Sequence, residues 1–121
     1  MIGAIPRRHI RESERALIER MLEGTSFKAQ ILHDIADLLV EDMSDGGMGS
    51  IRFQIDQPGR RLFGRQISEA AFVDADGVAV SVTLNLDQDG RLFELDMWKA
   101  DNSGLGRYPT PCDISVRHPD R

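Results

Sequence analysis

The sequence predicts an α+β fold in which two N-terminal helices pack on an antiparallel β-meander of four to five strands. Three observations carry that expectation. Apolar residues recur at helical spacing in the first third of the chain, the period becomes two from about residue 51, and short Asp/Gly turns separate the alternating runs.

The first helix is read over Ser13 to Glu23, where Leu17, Ile18, Met21 and Leu22 share one side and Glu14, Arg15, Glu19 and Arg20 the other. Ser13 is the expected N-cap, and Gly24 suits the left-handed position just past the helix. A second helix starts near Ser26 and turns Phe27, Ile31, Leu32 and Ile35 inward. The stretch Asp37 to Met43 fits either its end or a first strand.

Strand patterns follow. Ile51, Phe53 and Ile55 alternate with Arg52 and Gln54 before Pro58-Gly59, and a longer strand runs from about Leu62 to Val73. After Asp74-Ala75-Asp76-Gly77, the residues Val78, Val80, Val82, Leu84 and Leu86 share one face, opposite Ala79, Ser81, Thr83 and Asn85. A last strand places Phe93, Leu95 and Met97 against Glu94, Asp96 and Trp98. Short loops connect antiparallel neighbours, hence the meander. Residues 1–103 are expected to form a single domain. Residues 104–121, with Pro109, Pro111, Pro119 and no clear period, are read as a loosely packed or disordered tail.

Composition narrows the class. A chain of 121 residues, 40% hydrophobic and 29% charged, can bury an ordinary core without metal or disulfide. The lone Cys112 precludes an internal disulfide, the N-terminus lacks the order of a signal peptide, and no run approaches a membrane span. A cytoplasmic protein without membrane association is the expectation. The net charge of −5 and the weak clustering of arginines, at Arg7, Arg8, Arg11 and at Arg60, Arg61, Arg65, disfavour nucleic acid as a partner.

Two strings stand out, Asp45-Gly46-Gly47-Met48-Gly49-Ser50 and Phe93-Glu94-Leu95-Asp96-Met97-Trp98-Lys99. Together they resemble a family of small uncharacterised bacterial proteins, a domain of unknown function, over about residues 11–101. The resemblance implies a bacterial, cytosolic domain of shared fold and no activity, so no catalytic residue is carried over. The chain departs from that pattern at Asn102-Ser103-Gly104-Leu105, where an aromatic residue and a proline are expected.

Chemistry-bearing patterns are sparse. Asn85-x-Asp87-x-Asp89-Gly90 with Asp96 has calcium-loop spacing, but its ends are wrong and its flanks are strand-like, so it is read as a hairpin turn. Gly46, Gly47 and Gly49 lack the Gly-Lys-Ser/Thr ending of a phosphate loop and are assigned to a hairpin or bulge. His9, His33, His118 and Cys112 show no ligand spacing and no nucleophile–base arrangement, so neither a metal, a cofactor nor a catalytic residue is assigned. The remaining group is Glu94, Asp96 and Trp98 on one strand face, with Lys99 at its margin and Asp45, Gly46 and Gly47 nearby. Its expected use is protein recognition, with an immunity-like role or a homodimer seam as concrete forms. The rival is an enzyme or small-molecule binder built from Gly46 to Gly49 with Asp42, Asp45 or Glu94.

Overall fold

The structure, a computed structural model, describes residues 6–56 and 59–119. Helix α1 spans Glu12–Leu22 and turns Leu17, Ile18, Met21 and Leu22 into the core, each fully buried. Its N-cap lies two residues earlier than expected. Arg11 holds the N-cap position in extended backbone, and Glu14, three residues on, accepts the Arg11 N–H through Oε1 at 2.8 Å, leaving Ser13 inside the first turn. At the other end, Gly24 has a φ of +80°, as the left-handed position requires. Helix α2 spans Lys28–Ile35 and contributes Ile31 and Ile35 to the same core.

The β layer is larger than a four- to five-stranded meander and is ordered differently. Among the described residues there are seven strands: β1 (Arg7–His9), β2 (Leu39–Asp42), β3 (Ile51–Phe53), β4 (Phe63–Val73), β5 (Ala79–Asp87), β6 (Leu92–Lys99) and β7 (Ser115–Arg117). They form one antiparallel sheet in the order β1-β2-β3-β6-β5-β4-β7. Chain neighbours pair as expected from β2 to β3 and from β4 through β5 to β6, but not from β3 to β4. The chain leaves β3 for the far side of the sheet and returns through β5, so that Ile51 pairs with Leu95 and Arg52 with Glu94. Strands β1 and β7 are three residues long, too short for alternation to be distinguished from chance, whereas β3 coincides with the alternation read at Ile51 and Phe53. The ambiguous stretch 37–43 contains a strand, and the segment read as a loose tail supplies β7 together with a 3₁₀ turn at Pro111–Asp113.

Helices cover one face of the sheet. Val40, Ile51, Phe53, Ala70, Phe72, Val80, Val82, Leu84, Leu95 and Met97 meet α1 and α2 there in one cluster. Ser68 Oγ fastens β4 to α1 by donating to Met21 O at 2.8 Å. Arg8 clamps the opposite edge, donating to both Glu14 oxygens at 2.8 and 2.7 Å and to Asp42 at 2.7 Å. Glu14 is 1% exposed, so its charge needs that bidentate partner.

Two irregularities fix the long strands. The β5–β6 register steps from Asn85↔Glu94 to Leu86↔Leu92, omitting Phe93. Leu92 therefore joins the core while Phe93, expected on the core face, lies beneath Arg52 and Arg61, whose guanidinium carbons are 4.4 and 5.1 Å from its ring centre. The second is Gly64, where β4 steps past Asp87; a Cβ there would lie 2.1 Å from Asp87 O. Gly64→Ala is accordingly expected to destabilise the fold by about 2 to 3 kcal/mol, the scale of forced overpacking, read as a lower urea midpoint.

At the end of β6, Lys99 continues the covered face beyond Met97. Its Nζ lies 2.8 Å from Asp74, 2.6 Å from Asp76 and 3.1 Å from Gly104 O. Asp74 also accepts N–H groups from Gly106 and Arg107 at 2.8 and 3.1 Å, and with Lys99 these hold its carboxyl well below the usual range. Asp42 and Asp87 are lowered too, Asp42 chiefly by Arg8 and Asp87 by N–H donors and Arg61 acting against its burial. A depressed carboxyl contributes stability above its unfolded pKa of about 4 and loses that contribution as pH falls through the folded value. Acid titration should therefore lower the melting temperature below about pH 4. Lys99→Met should lower it at neutral pH, with the Gly106 and Arg107 amides among the first to lose hydrogen-exchange protection.

Candidate functional site: the open face of the sheet

Strand alternation and register place three cross-strand rows on the face away from the helices. The first runs Arg7, Glu41, Arg52, Glu94, Asn85, Gln66. The second runs Asp96, Thr83, Glu69, Arg117, and the third Trp98, Ser81, Ala71, Ser115. Directly opposed side chains in an antiparallel pair interact, and most charges here meet an opposite one. Arg7 lies 3.8 Å from Glu41, Arg52 lies 3.0 Å from Glu94, and Arg117 donates to Glu69.

Asp96 departs from that pattern. Among the described carboxylates of these rows it alone has no ion-pair partner; its oxygen Oδ1 lies 3.2 Å from Ser50 Oγ. Partial burial, and then the charges of Glu94 and Asp45, push its pKa above the ordinary carboxylate range. The Ser50 hydroxyl accepts Met97 N–H at 2.8 Å and is buried, so it anchors β6 to the glycine loop and is not displayed as a nucleophile.

Trp98 is 51% exposed beside Asp96. Its indole Nε1 donates to Asn102 Oδ1 at 2.9 Å, and Asn102 sits at φ +62° with its own N–H on Lys99 O. Asparagine is among the residues that tolerate this conformation. One face of the ring is thus presented in a fixed orientation.

The other expected residues divide. Glu94, Asp96 and Trp98 do share the open face. Lys99 does not stand at its margin; it lies on the covered face, buried in its ion pairs with Asp74 and Asp76. Asp45 folds back on its own loop, accepting Met48 N–H at 3.0 Å and Ser50 N–H at 2.9 Å, so its carboxylate takes amides that a bound anion would need. Gly46 and Gly47 adopt φ of +77° and +83°, and Gly47 O accepts Leu105 N–H at 3.1 Å. Asp42 points to the covered side, toward Arg8, away from Glu94. The calcium-like turn is filled from within, because Asp87 accepts Arg61 Nε, Asp89 N–H and Arg91 N–H, each at 2.9 Å. His9, His33 and Cys112 are exposed and His118 meets Met21 O; no group of three metal-ligating side chains occurs among the described residues.

Sequence reasoning missed Ser50, Asn85 and Asn102 as parts of this surface. The alternation of Ser81, Thr83 and Asn85 marked the open face of β5, but only register shows which of them stands beside Asp96. Asn85 is 5% exposed; its amide nitrogen donates to Thr83 at 3.3 Å and Glu94 at 3.2 Å, while its Oδ1 meets no donor.

Grooves open among the described residues, two of them bordering this face, beside Glu41, Arg52 and Phe93 and beside Glu69, Ala71 and Arg117. Two more, of about 630 and 620 Å³, lie by Arg7, Leu38 and Asp56 and between the end of β4 and the segment 107–115. None of these grooves is lined by Glu94, Asp96 or Trp98. Among the described residues no helix is long and apolar enough to cross a membrane.

Removing the Asp96 charge tests this description. Because the folded state raises this carboxyl, the ionised form costs stability above the folded pKa and the cost vanishes as pH falls below it. Asp96→Asn should stabilise the protein at pH 7 by under about 1 kcal/mol, given its solvent screening, with the gain shrinking on acidification. Paired thermal melts across pH 3 to 8 would check this.

A family model described as "Domain of unknown function (DUF6984)" matches residues 7–109. No curated protein and no solved structure matches the chain.

Proposed function

We propose that this chain, which belongs to the DUF6984 family, is a non-enzymatic module that docks a basic protein partner on the open face of its sheet. The observation that carries the reading is Asp96: a half-buried carboxylate without an ion-pair partner, next to a half-exposed, orientationally fixed tryptophan. A partner cation would supply the missing charge, and Trp98 would supply contact area, the pairing that interface hot spots favour. The overall charge of −5 assists encounter with a basic surface. An immunity-like protein that covers a basic catalytic surface is one form of this function.

The alternative, a small-molecule binder or hydrolase, needs a carboxylate of raised pKa inside a concave site. Asp96 meets the first condition, but it lines none of the grooves described, and Asp42, Asp45 and Glu94 are not gathered around one space.

Affinity capture from a lysate of the source cell separates the readings. Wild type should retain a stoichiometric partner that a folded Asp96→Ala, Trp98→Ala variant binds at least about 30-fold more weakly, a loss of about 2 kcal/mol. Equal capture by both baits would move the site off this face.

A further inference from the structure

The surroundings of Asp96 specify the partner's anchor more narrowly than positive charge. Hydrogen-bond acceptors accumulate there: the Asp96 carboxylate, the Thr83 hydroxyl opposite it, the Glu94 carboxylate two residues away, and the Oδ1 of Asn85 opposite Glu94. Two of these are short of donors. Asp96 has no ion-pair partner, and Asn85 Oδ1, on a side chain 5% exposed, meets no N–H or O–H, as Arg52 Nε in the same row meets no acceptor. The carboxylate is the accessible member of this group, with the Thr83 hydroxyl opposite it and Glu94 two residues away.

We infer that the open face receives an arginine side chain of the partner protein, stacked on Trp98 and paired with Asp96. This rests on the docking function proposed above and deepens it. Two physical reasons select guanidinium over ammonium. A guanidinium carries five N–H donors and no acceptor, which suits a patch rich in acceptors. It is also planar, so it can lie on an indole ring while forking toward a carboxylate, whereas an ammonium acts as a compact, strongly hydrated charge. The ring is already prepared for stacking: Asn102 takes up the indole N–H and holds the ring in place. Side chains two apart on one strand face are separated by about 6.5 to 7 Å at Cα, a span that one guanidinium can bridge.

Trp98 is the only tryptophan of the chain, so its fluorescence reports this site. The protein would be titrated at physiological salt with acetyl-Gly-Arg-Gly-amide, the lysine counterpart, and the isosteric, uncharged citrulline counterpart, with amide chemical shifts recorded in parallel. The arginine peptide should bind saturably and weakly, move the resonances of Thr83, Asn85, Asp96 and Trp98, and bind several-fold more tightly than the lysine peptide. The citrulline peptide should not bind. Asp96→Asn, expected to fold, should weaken the arginine peptide roughly tenfold, as loss of one charge-assisted interaction would. Equal affinity for arginine and lysine peptides, no saturable arginine binding, or binding unchanged in Asp96→Asn would overturn the assignment. If lysate capture still depends on Asp96 and Trp98 while the arginine peptide fails, docking on this face stands and the arginine anchor falls.

Discussion

The contact between Lys99 and Asp74 sets the terms for the rest of the molecule. Lys99 ends the central strand β6, Asp74 opens the turn between β4 and β5, and Gly106 and Arg107 donate to the same carboxylate from the C-terminal segment. The end of β6, the β4–β5 turn and the C-terminal segment thus converge on one desolvated charge pair. Such a pair contributes less to stability than to specificity, because either charge alone would be costly to bury. The pair is satisfied where the C-terminal segment crosses the sheet end, before the chain returns as β7.

The consequences reach the open face. With Lys99 drawn to the covered side, strand alternation directs Trp98 outward, and the turn that follows brings Asn102 to the indole N–H. The glycine loop is held from both sides, by Asp45 within it and by Gly104 and Leu105 against it; a Cβ on Gly104 would come within 3.2 Å of Gly46 O. That loop delivers Ser50 to β6 beside Asp96. An exposed Trp–Asp pair is in this way backed by a buried polar framework, which limits the ordering entropy that docking would require.

Much of the fold was legible locally. Leu17, Ile18, Met21 and Leu22 declared α1, and the eight- to eleven-residue strands β4, β5 and β6 declared themselves through period-two alternation. Elements of three or four residues carry too few repeats to show a period, so β1, β2 and β7 needed the sheet around them to exist at all. Within the site, the common face of Glu94, Asp96 and Trp98 followed from alternation. The roles of Lys99 and Phe93 did not, because one is decided by a counter-charge 25 residues away and the other by a bulge in strand pairing.

The amino-acid sequence by itself determined the α+β class, the helix faces, the central hairpins, the acidic balance and the group Glu94, Asp96 and Trp98. Those properties depend on neighbours within a turn or on residues two apart, where pattern and geometry coincide. Tertiary structure alone decided the seven-strand order, the place of the C-terminal segment, the burial of Lys99 and which carboxylate is left without a cation. Each of these depends on which distant groups share a low-dielectric space, and sequence spacing holds no measure of that distance.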